Sequence, residues 1–169
     1  YGSWRNNFVI IADDSDKASD VSLQKRQNSL ANNISFEKPF FNVYKILLDS
    51  YTQEASAGGN RYPKARTDFF NAFEKGALVF NYLGHGGEDG LSSERIWEKS
   101  DGQNLNNPFR YPLFVTITCE FSRFDNPLRP TAGEYTYWNP KGGAIAMITT
   151  IRSIGQFSAE NFNPLLTKN

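Results

Sequence analysis

The chain has 169 residues with a single cysteine and a single histidine, and its 18 basic residues balance its 18 acidic ones. A net charge of zero gives no electrostatic case for binding nucleic acid or an anionic membrane. One cysteine excludes an intrachain disulfide, and no apolar run approaches the roughly 20 residues that span a bilayer.

Short apolar runs predict the strands of one buried sheet. Residues 8–12 form the first run, and residues 41–47 alternate as expected for a strand near a sheet edge. Residues 77–80, 113–117 and 144–149 predict three further strands, the last of them buried. Helical patterns separate most of these runs. We therefore predict an α/β domain with a mostly parallel sheet of about five strands, covered by helices on both faces.

Capping residues and apolar spacing predict the helices. They are expected to begin after Ser19 or Asp20, at residue 68 after Thr67, at residue 131, and at residue 159 after Ser158. Residues 52–62 and 91–111 show little periodicity and predict loops. The pattern contains no second domain, so residues 1–169 are treated as one. The start at Tyr1 favours a piece excised from a longer chain.

The histidine and the cysteine each follow a predicted buried strand. His85 comes after residues 77–80, and Cys119 comes after residues 113–117. Sites in α/β sheets form outside the carboxyl ends of strands, so two neighbouring strands would bring these side chains together. A thiolate nucleophile beside an imidazole that protonates the leaving amine is the chemistry of a cysteine peptidase. We therefore predict a Cys119–His85 dyad.

Two further groups would complete such a site. The backbone amides of Gly86 and Cys119 are candidate donors to the developing oxyanion. A carboxylate can orient the imidazole, and the acidic loop after the first strand offers Asp13, Asp14 and Asp16. The residues alone do not select among these three.

Plainer interpretations stay open. A lone histidine is more often structural, and a lone cysteine is more often a small core hydrophobe, which would make the chain a non-catalytic α/β recognition module. Residues 13–16 are acidic enough for a structural calcium ion but lack the spacing of an EF-hand loop, so a solvated loop is favoured. Zinc is disfavoured by the absence of paired ligands, and no cofactor is expected.

Two segments resemble motifs of the gingipain family of cysteine peptidases, peptidase family C25. The segment Asn81–Gly86 is similar to the histidine motif of that family, and Thr118–Cys119 is similar to its nucleophile motif, at a similar separation (119 − 85 = 34). The resemblance covers nearly the whole chain. It implies a three-layer, caspase/gingipain-like catalytic domain with His85 as general acid/base and Cys119 as nucleophile. It also implies an acidic third member among Asp13 to Asp16.

Within the family, two stretches look most like the sortase of the type IX secretion system. They are Gly84–Leu91, continued by Glu94–Ile96, and Cys119–Asp125. This resemblance implies cleavage of the carboxyl-terminal sorting signal of secreted proteins through a thioester, and transfer to a surface lipopolysaccharide acceptor. It implies outer-membrane secretion components as partners, and a place at the cell surface or outer membrane of a Gram-negative bacterium of the Bacteroidetes type, or outside the cell.

The family resemblance also carries an alternative function. Gingipains read a basic P1 side chain with an acidic residue near the start of the helix after the first strand, and Asp20 lies close to that place. Glu120, next to the nucleophile, is a second candidate for substrate binding. The alternative is therefore a gingipain-like hydrolytic protease with a basic P1 preference.

Overall fold

The centre of the molecule is a five-stranded parallel sheet, and the computed structural model describes residues 2–167 around it. In chain order the strands are β1 (Asn7–Ala12), β2 (Asn42–Leu47), β3 (Glu54–Ser56), β4 (Gly59–Arg61), β5 (Val79–Leu83), β6 (Gly86–Gly87), β7 (Gly90–Leu91), β8 (Trp97–Glu98), β9 (Leu113–Ile117) and β10 (Ala146–Thr149). The α-helices are α1 (Val21–Glu37), α2 (Pro63–Lys75), α3 (Lys99–Asn104), α4 (Ala132–Trp138) and α5 (Gln156–Phe162). Short 3-10 helices occupy Ser3–Asn6, Leu48–Ser50 and Asn163–Thr167.

The strand order places a crevice beside β1. The central sheet runs β10-β9-β5-β1-β2, and all neighbouring pairs are parallel. The chain goes from β1 to β2 on one side and reaches β5 on the other, so the loops that leave β1 and β5 diverge. Ligand sites of α/β sheets form at such switch points. Asp13 and Gly84 are the first residues of these two loops.

Helices cover both faces of the sheet and create three layers. Alternate residues of a strand point to opposite faces. Val9 and Ile11 of β1 belong to the core beneath α2, whereas Phe8 and Ile10 pack against α1. The α2 face is largely aromatic, and its core includes Trp97, whose ring centroid lies 5.5 Å from that of Phe114 on β9. The apolar alternation of the strands thus specifies which helix covers each face.

A buried ring of three amide side chains fixes α1 to the sheet. Gln27 of α1 donates to Asn81 Oδ1 of β5 at 2.9 Å, and Asn81 donates to Asn163 Oδ1 at 2.7 Å. Asn163 closes the ring by donating to Gln27 Oε1 at 2.9 Å. Gln27 also donates to the carbonyl of Ile11. Because buried amides need partners, this ring sets the position of α1 and of Asp20 at its start.

The predicted sheet and its helical layers are confirmed, and β2 lies at a sheet edge as the alternation indicated. The last strand was wrongly predicted to be buried. β10 forms the opposite edge, and Ile145, just before it, is 68% exposed. An apolar run therefore did not distinguish a central strand from an edge strand.

The predicted loops contain more structure than their composition indicates. Residues 52–62 include the β3–β4 hairpin, and residues 91–111 include β8 and α3. Helix α3 has a capping box between Glu98 and Asp101, a local signal that overrides its weak apolar pattern. Helix α2 begins at Pro63, before the predicted Thr67 cap, because proline suits the first helical turn. Helix α5 begins at Gln156 rather than after Ser158.

Across the described residues 2–167, no helix combines the length and apolarity that crossing a membrane requires.

Candidate active site

The register of two central strands brings His85 and Cys119 to matching positions. β5 and β9 are parallel neighbours, and Leu83 pairs with Ile117 at their carboxyl ends. His85 and Cys119 each lie two residues beyond that pair. The amide of Gly84 donates to the carbonyl of Ile117 at 3.3 Å, so the two chains stay side by side past the strands. The sheet therefore presents the histidine and the cysteine at one edge, as predicted from their places in the sequence.

The absence of a side chain at Gly86 allows the two loops to touch. A Cβ built on Gly86 would lie 2.6 Å from Thr118 Oγ1 and 2.9 Å from the carbonyl oxygen of Gly90. Thr118 directly precedes Cys119, so this contact joins the histidine loop to the nucleophile turn. Any larger residue at position 86 would push the two loops apart.

Cys119 lies on a tight turn. The thiol is partly exposed, and its sulfur lies 3.8 Å from the carbonyl oxygen of Ile154. Glu120 adopts φ 50°, a left-handed conformation that is uncommon for a residue with a side chain and often marks functional turns. Its amide donates to the carbonyl of Arg152 at 3.4 Å. Among the described residues, the amide of Cys119 itself donates no hydrogen bond, which leaves it available to an incoming oxygen.

The backbone of His85 is held on both sides. Its amide donates to Asp13 Oδ2 at 2.7 Å. Its carbonyl accepts from the Tyr82 hydroxyl at 2.6 Å and from the amide of Ser92 at 3.0 Å. A side chain at Gly84 would collide with Asp13 and would lie 2.7 Å from the Tyr82 hydroxyl. Glycine at position 84 therefore lets Asp13 reach the histidine amide.

The imidazole of His85 has a different acidic neighbour, Asp20. Nε2 of His85 lies 3.4 Å from Oδ2 of Asp20, and the Asp20 side chain is 1% exposed while that of His85 is 47% exposed. Asp20 is itself oriented, since it accepts from the amide of Lys17 at 3.1 Å and from the hydroxyl of Ser19 at 3.0 Å. The buried carboxylate can thus hold one side of an imidazole that is otherwise open to solvent.

Asp13, Asp14 and Asp16, the residues predicted to orient the imidazole, occupy three different environments. Asp13 accepts a hydrogen bond from the backbone amide of His85. Burial raises the pKa of Asp13 to about 7, and this effect exceeds the lowering that the hydrogen bond from His85 causes. Asp14 accepts from the Tyr62 hydroxyl at 3.0 Å, and burial and the charge of Glu94 raise its pKa. Asp16 is exposed to solvent.

Ion pairs tie the histidine loop to the segment after the cysteine. Glu88 accepts a hydrogen bond from Arg123 at 3.2 Å and forms an ion pair with Arg129 at 3.1 Å. Asp89 pairs with Arg129 at 2.6 Å and with Lys99 at 2.8 Å. We call these five residues the rim network. It clamps the loop that carries His85 onto the residues that follow Cys119.

A profile of peptidase family C25 matches residues 1–169, the whole chain. The chain belongs to peptidase family C25. His85 and Cys119 thus lie in a chain of a cysteine peptidase family, in agreement with the family resemblance of the sequence. No curated protein sequence matches the chain.

Solved structures share the C25 fold. The crystal structure of the Arg-specific cysteine proteinase gingipain R (RgpB) superposes with a TM-score of 0.72 at 17% identity, covering 97% of this chain and 37% of that one. The complex of the Porphyromonas gingivalis RgpB pro- and mature domains gives 0.72 at 17% identity, covering 99% and 38%. A structure described as a protease gives 0.69 at 17% identity, covering 96% and 32%. The chain therefore spans well under half the length of the structures that it matches.

The structure adds residues to the site that the sequence did not indicate. Glu94 joins Asp13 and Asp14 in the crevice, and Ile154 contacts the cysteine sulfur. Asp20 was predicted to bind substrate, and the structure also makes it a candidate partner of the imidazole. Glu120, the other substrate-binding candidate, lies beside the cysteine and pairs with Arg123 at 3.5 Å. The roles of all these residues stay predictions.

Proposed function

We propose that this chain carries the catalytic site of a cysteine peptidase in which Cys119 is the nucleophile and His85 the general acid–base. The observation that carries the proposal is the strand register, which ends β5 and β9 at a common level with His85 and Cys119 two residues beyond. A structural cysteine would lie in the core, whereas Cys119 is partly exposed at the sheet edge where α/β sites form.

The proposed chemistry gives each group of the site one role. His85 accepts the proton of the Cys119 thiol, and the thiolate sulfur attacks the scissile carbonyl carbon. The tetrahedral oxyanion is met by the amide of Cys119 and by that of Gly86 in the touching loop. As the tetrahedral species collapses, the C–N bond breaks, His85 returns its proton to the departing amine, and a thioester remains. Asp20, 3.4 Å from Nε2, holds the imidazole throughout.

The fate of the thioester separates two functions. The stretches Gly84–Leu91 and Cys119–Asp125 resemble the type IX secretion sortase, PorU. In that function an amine of a surface lipopolysaccharide resolves the thioester, and the substrates are proteins with carboxyl-terminal sorting domains. The parent protein would then act at the cell surface together with outer-membrane secretion components.

The alternative is simple hydrolysis after a basic residue. The buried carboxylate of Asp20 at the crevice supports it, as does the fold shared with an Arg-specific proteinase. A basic P1 side chain would then approach Asp20, and water would resolve the thioester. The sortase should require a folded sorting domain, whereas the hydrolase should cleave short peptides with arginine or lysine at P1.

The deciding experiment compares full-length wild-type protein with its Cys119→Ala and His85→Ala variants. We expect both variants to lose processing of a cargo that carries a sorting domain, while a peptide panel detects any basic P1 preference. Processing that continues unchanged in Cys119→Ala would overturn the nucleophile assignment. Cleavage of arginyl and lysyl peptides without a sorting domain would favour the hydrolase.

Alkylation provides a test that does not depend on knowing the substrate. We expect iodoacetamide to label Cys119 at pH 6.5 at least about tenfold faster than an ordinary thiol, because the imidazole helps to form the thiolate. The His85→Ala variant should lose that advantage while keeping its melting temperature. Equal, slow labelling of both proteins across pH would favour a structural cysteine in a recognition module.

A further inference from the structure

The carboxylate of Asp20 faces the imidazole of His85 instead of capping the helix that it begins. Asp20 is the N-cap residue of α1, where an aspartate side chain usually accepts hydrogen bonds from the first free amides of the helix. Here it forms no such cap. Its oxygens accept from the amide of Lys17 and the hydroxyl of Ser19, and Oδ2 lies 3.4 Å from His85 Nε2. Other groups must therefore hold the first turn of α1.

Helix α5 holds this turn through two side chains. Gln156 donates to the carbonyl of Ser19 at 2.8 Å and to Ser22 Oγ at 3.0 Å. Glu160 accepts one hydrogen bond from the Ser22 hydroxyl and another from Gln156 at 2.9 Å. Glu160 is only 8% exposed, and its second oxygen forms an ion pair with Arg26 of α1 at 3.6 Å. These contacts connect α5 to the turn that contains Asp20.

The segment that leads into α5 also contacts the nucleophile turn. The carbonyl of Arg152 accepts from the amide of Glu120 at 3.4 Å, and that of Ile154 lies 3.8 Å from the Cys119 sulfur. Helix α5 begins only two residues after Ile154. Residues 152–160 therefore connect the turn that carries the cysteine with the turn that carries the carboxylate facing His85.

We propose that Glu160 is a positioning residue, which holds the first turn of α1 so that the Asp20 carboxylate stays against the His85 imidazole. The inference rests on the proposed peptidase function, in which Asp20 stabilises the imidazolium. Gln24 attaches the same end of α1 to the sheet by donating to the carbonyl of Ala12 at 3.4 Å. Removal of the Glu160 carboxylate would thus loosen the turn without releasing the helix.

The first test uses iodoacetamide as the probe of Cys119 in the full-length protein at pH 6.5, with the labelled peptide quantified by mass spectrometry. We expect Glu160→Ala to be labelled about fivefold more slowly than wild type, because a displaced Asp20 stabilises the imidazolium less and less thiolate forms. Glu160→Gln should stay within about twofold of wild type, because its amide oxygen can still accept from Ser22.

A double-mutant cycle separates positioning from a general structural effect. Turnover of the cargo that carries a sorting domain is measured well below the melting temperature of each variant. We expect Glu160→Ala to lower kcat about tenfold with KM within about twofold of wild type. In an Asp20→Asn background the same change should lower kcat by less than about twofold, because the group through which Glu160 acts is already gone.

Asn161→Ala is the matched control on α5. The Asn161 side chain is exposed and donates to the carbonyl of Phe157 in the same helix, so this variant should be labelled like wild type.

Two results would overturn the positioning role of Glu160. One is equal labelling of wild type and Glu160→Ala, and the other is an equal loss of kcat in both Asp20 backgrounds. Slow labelling of the wild-type protein itself would instead overturn the proposed peptidase function, and this inference with it. The labelling of wild type therefore shows which of the two proposals has failed.

Discussion

Acidic residues of the crevice and of the rim are held by different partners. In the crevice, Asp13 accepts a hydrogen bond from a backbone amide, and Asp14 accepts one from a tyrosine hydroxyl. Both carboxyls are buried, and neither has a Lys or Arg partner among the described residues. On the rim, Glu88 and Asp89 pair with Arg123, Arg129 and Lys99. These Lys and Arg side chains neutralise the rim carboxylates and thereby connect the loops that carry them. Burial instead raises the pKa of Asp13 to about 7 and raises the pKa of Asp14, so the crevice carboxyls hold a proton more readily than the rim carboxylates.

The largest expected effect is that of Asp20→Asn. We expect kcat to fall by about 100-fold or more, because the amide cannot stabilise the imidazolium as the carboxylate does. The melting temperature should change little. Peptides with different P1 residues, assayed on the full-length protein, provide the measurement. A loss confined to basic P1 substrates would instead make Asp20 a specificity residue and would weaken the contrast with the rim.

The next effect is that of Gly84→Ala, which tests the contact between Asp13 and the histidine backbone. The added methyl group would collide with Asp13, so we expect a loss of about 2 kcal/mol or more in the free energy of unfolding. Urea unfolding measures it. Gly87→Ala is the matched control, because a Cβ at Gly87 meets nothing within 4 Å. Equal stability of the two variants would show that the close approach at Gly84 is not needed.

Glu88→Gln tests the rim network, and its expected effect on stability is smaller than that of Gly84→Ala. Its side chain is 10% exposed and pairs with two arginines, so we expect a loss of about 1 kcal/mol in unfolding free energy. Activity per folded molecule should stay within about twofold of wild type if the rim only ties loops together. A fall in kcat comparable to that of Asp20→Asn would remove the distinction between rim and crevice.

The smallest effect concerns the pH dependence of Asp89. Its hydrogen bonds to Lys99 and then to Arg129 lower its pKa. The contribution of Asp89 is therefore present above the ordinary carboxyl pKa of about 3.9 and is lost as pH falls through the lowered folded-state value. Asp89 is 68% exposed, so solvent screening keeps this below about 0.5 kcal/mol.

Thermal melting of wild type and Asp89→Asn from pH 7 to pH 3 checks this expectation. The wild-type advantage should be present at pH 7 and should shrink as the pH approaches 3, because the pKa of Asp89 is lowered in the folded protein. An advantage that is constant over the whole range would exclude the ion pairs as its source.

The sheet and the His85–Cys119 placement follow from local sequence patterns, whereas the crevice contacts do not. Apolar runs and strand ends suffice to put both residues at one edge. The contact between Asp20 and His85 depends on the position of α1, which the buried ring of Gln27, Asn81 and Asn163 fixes across the fold. Glu94 meets Asp13 only because the loop after β7 folds back. No periodicity encodes contacts between residues so far apart in sequence.

The backbone of His85 is anchored through both its amide and its carbonyl, so a free base in solution could take the place of the imidazole. The amide and the carbonyl of His85 are held by Asp13, Tyr82 and Ser92, so the loop keeps its shape when the side chain is removed. Truncation to alanine would leave an opening beside Asp20 that faces solvent. A small diffusible base such as free imidazole could enter that opening from solution. The His85→Ala enzyme would then regain turnover by chemical rescue, because the intact loop would bind the free imidazole where the histidine side chain had been.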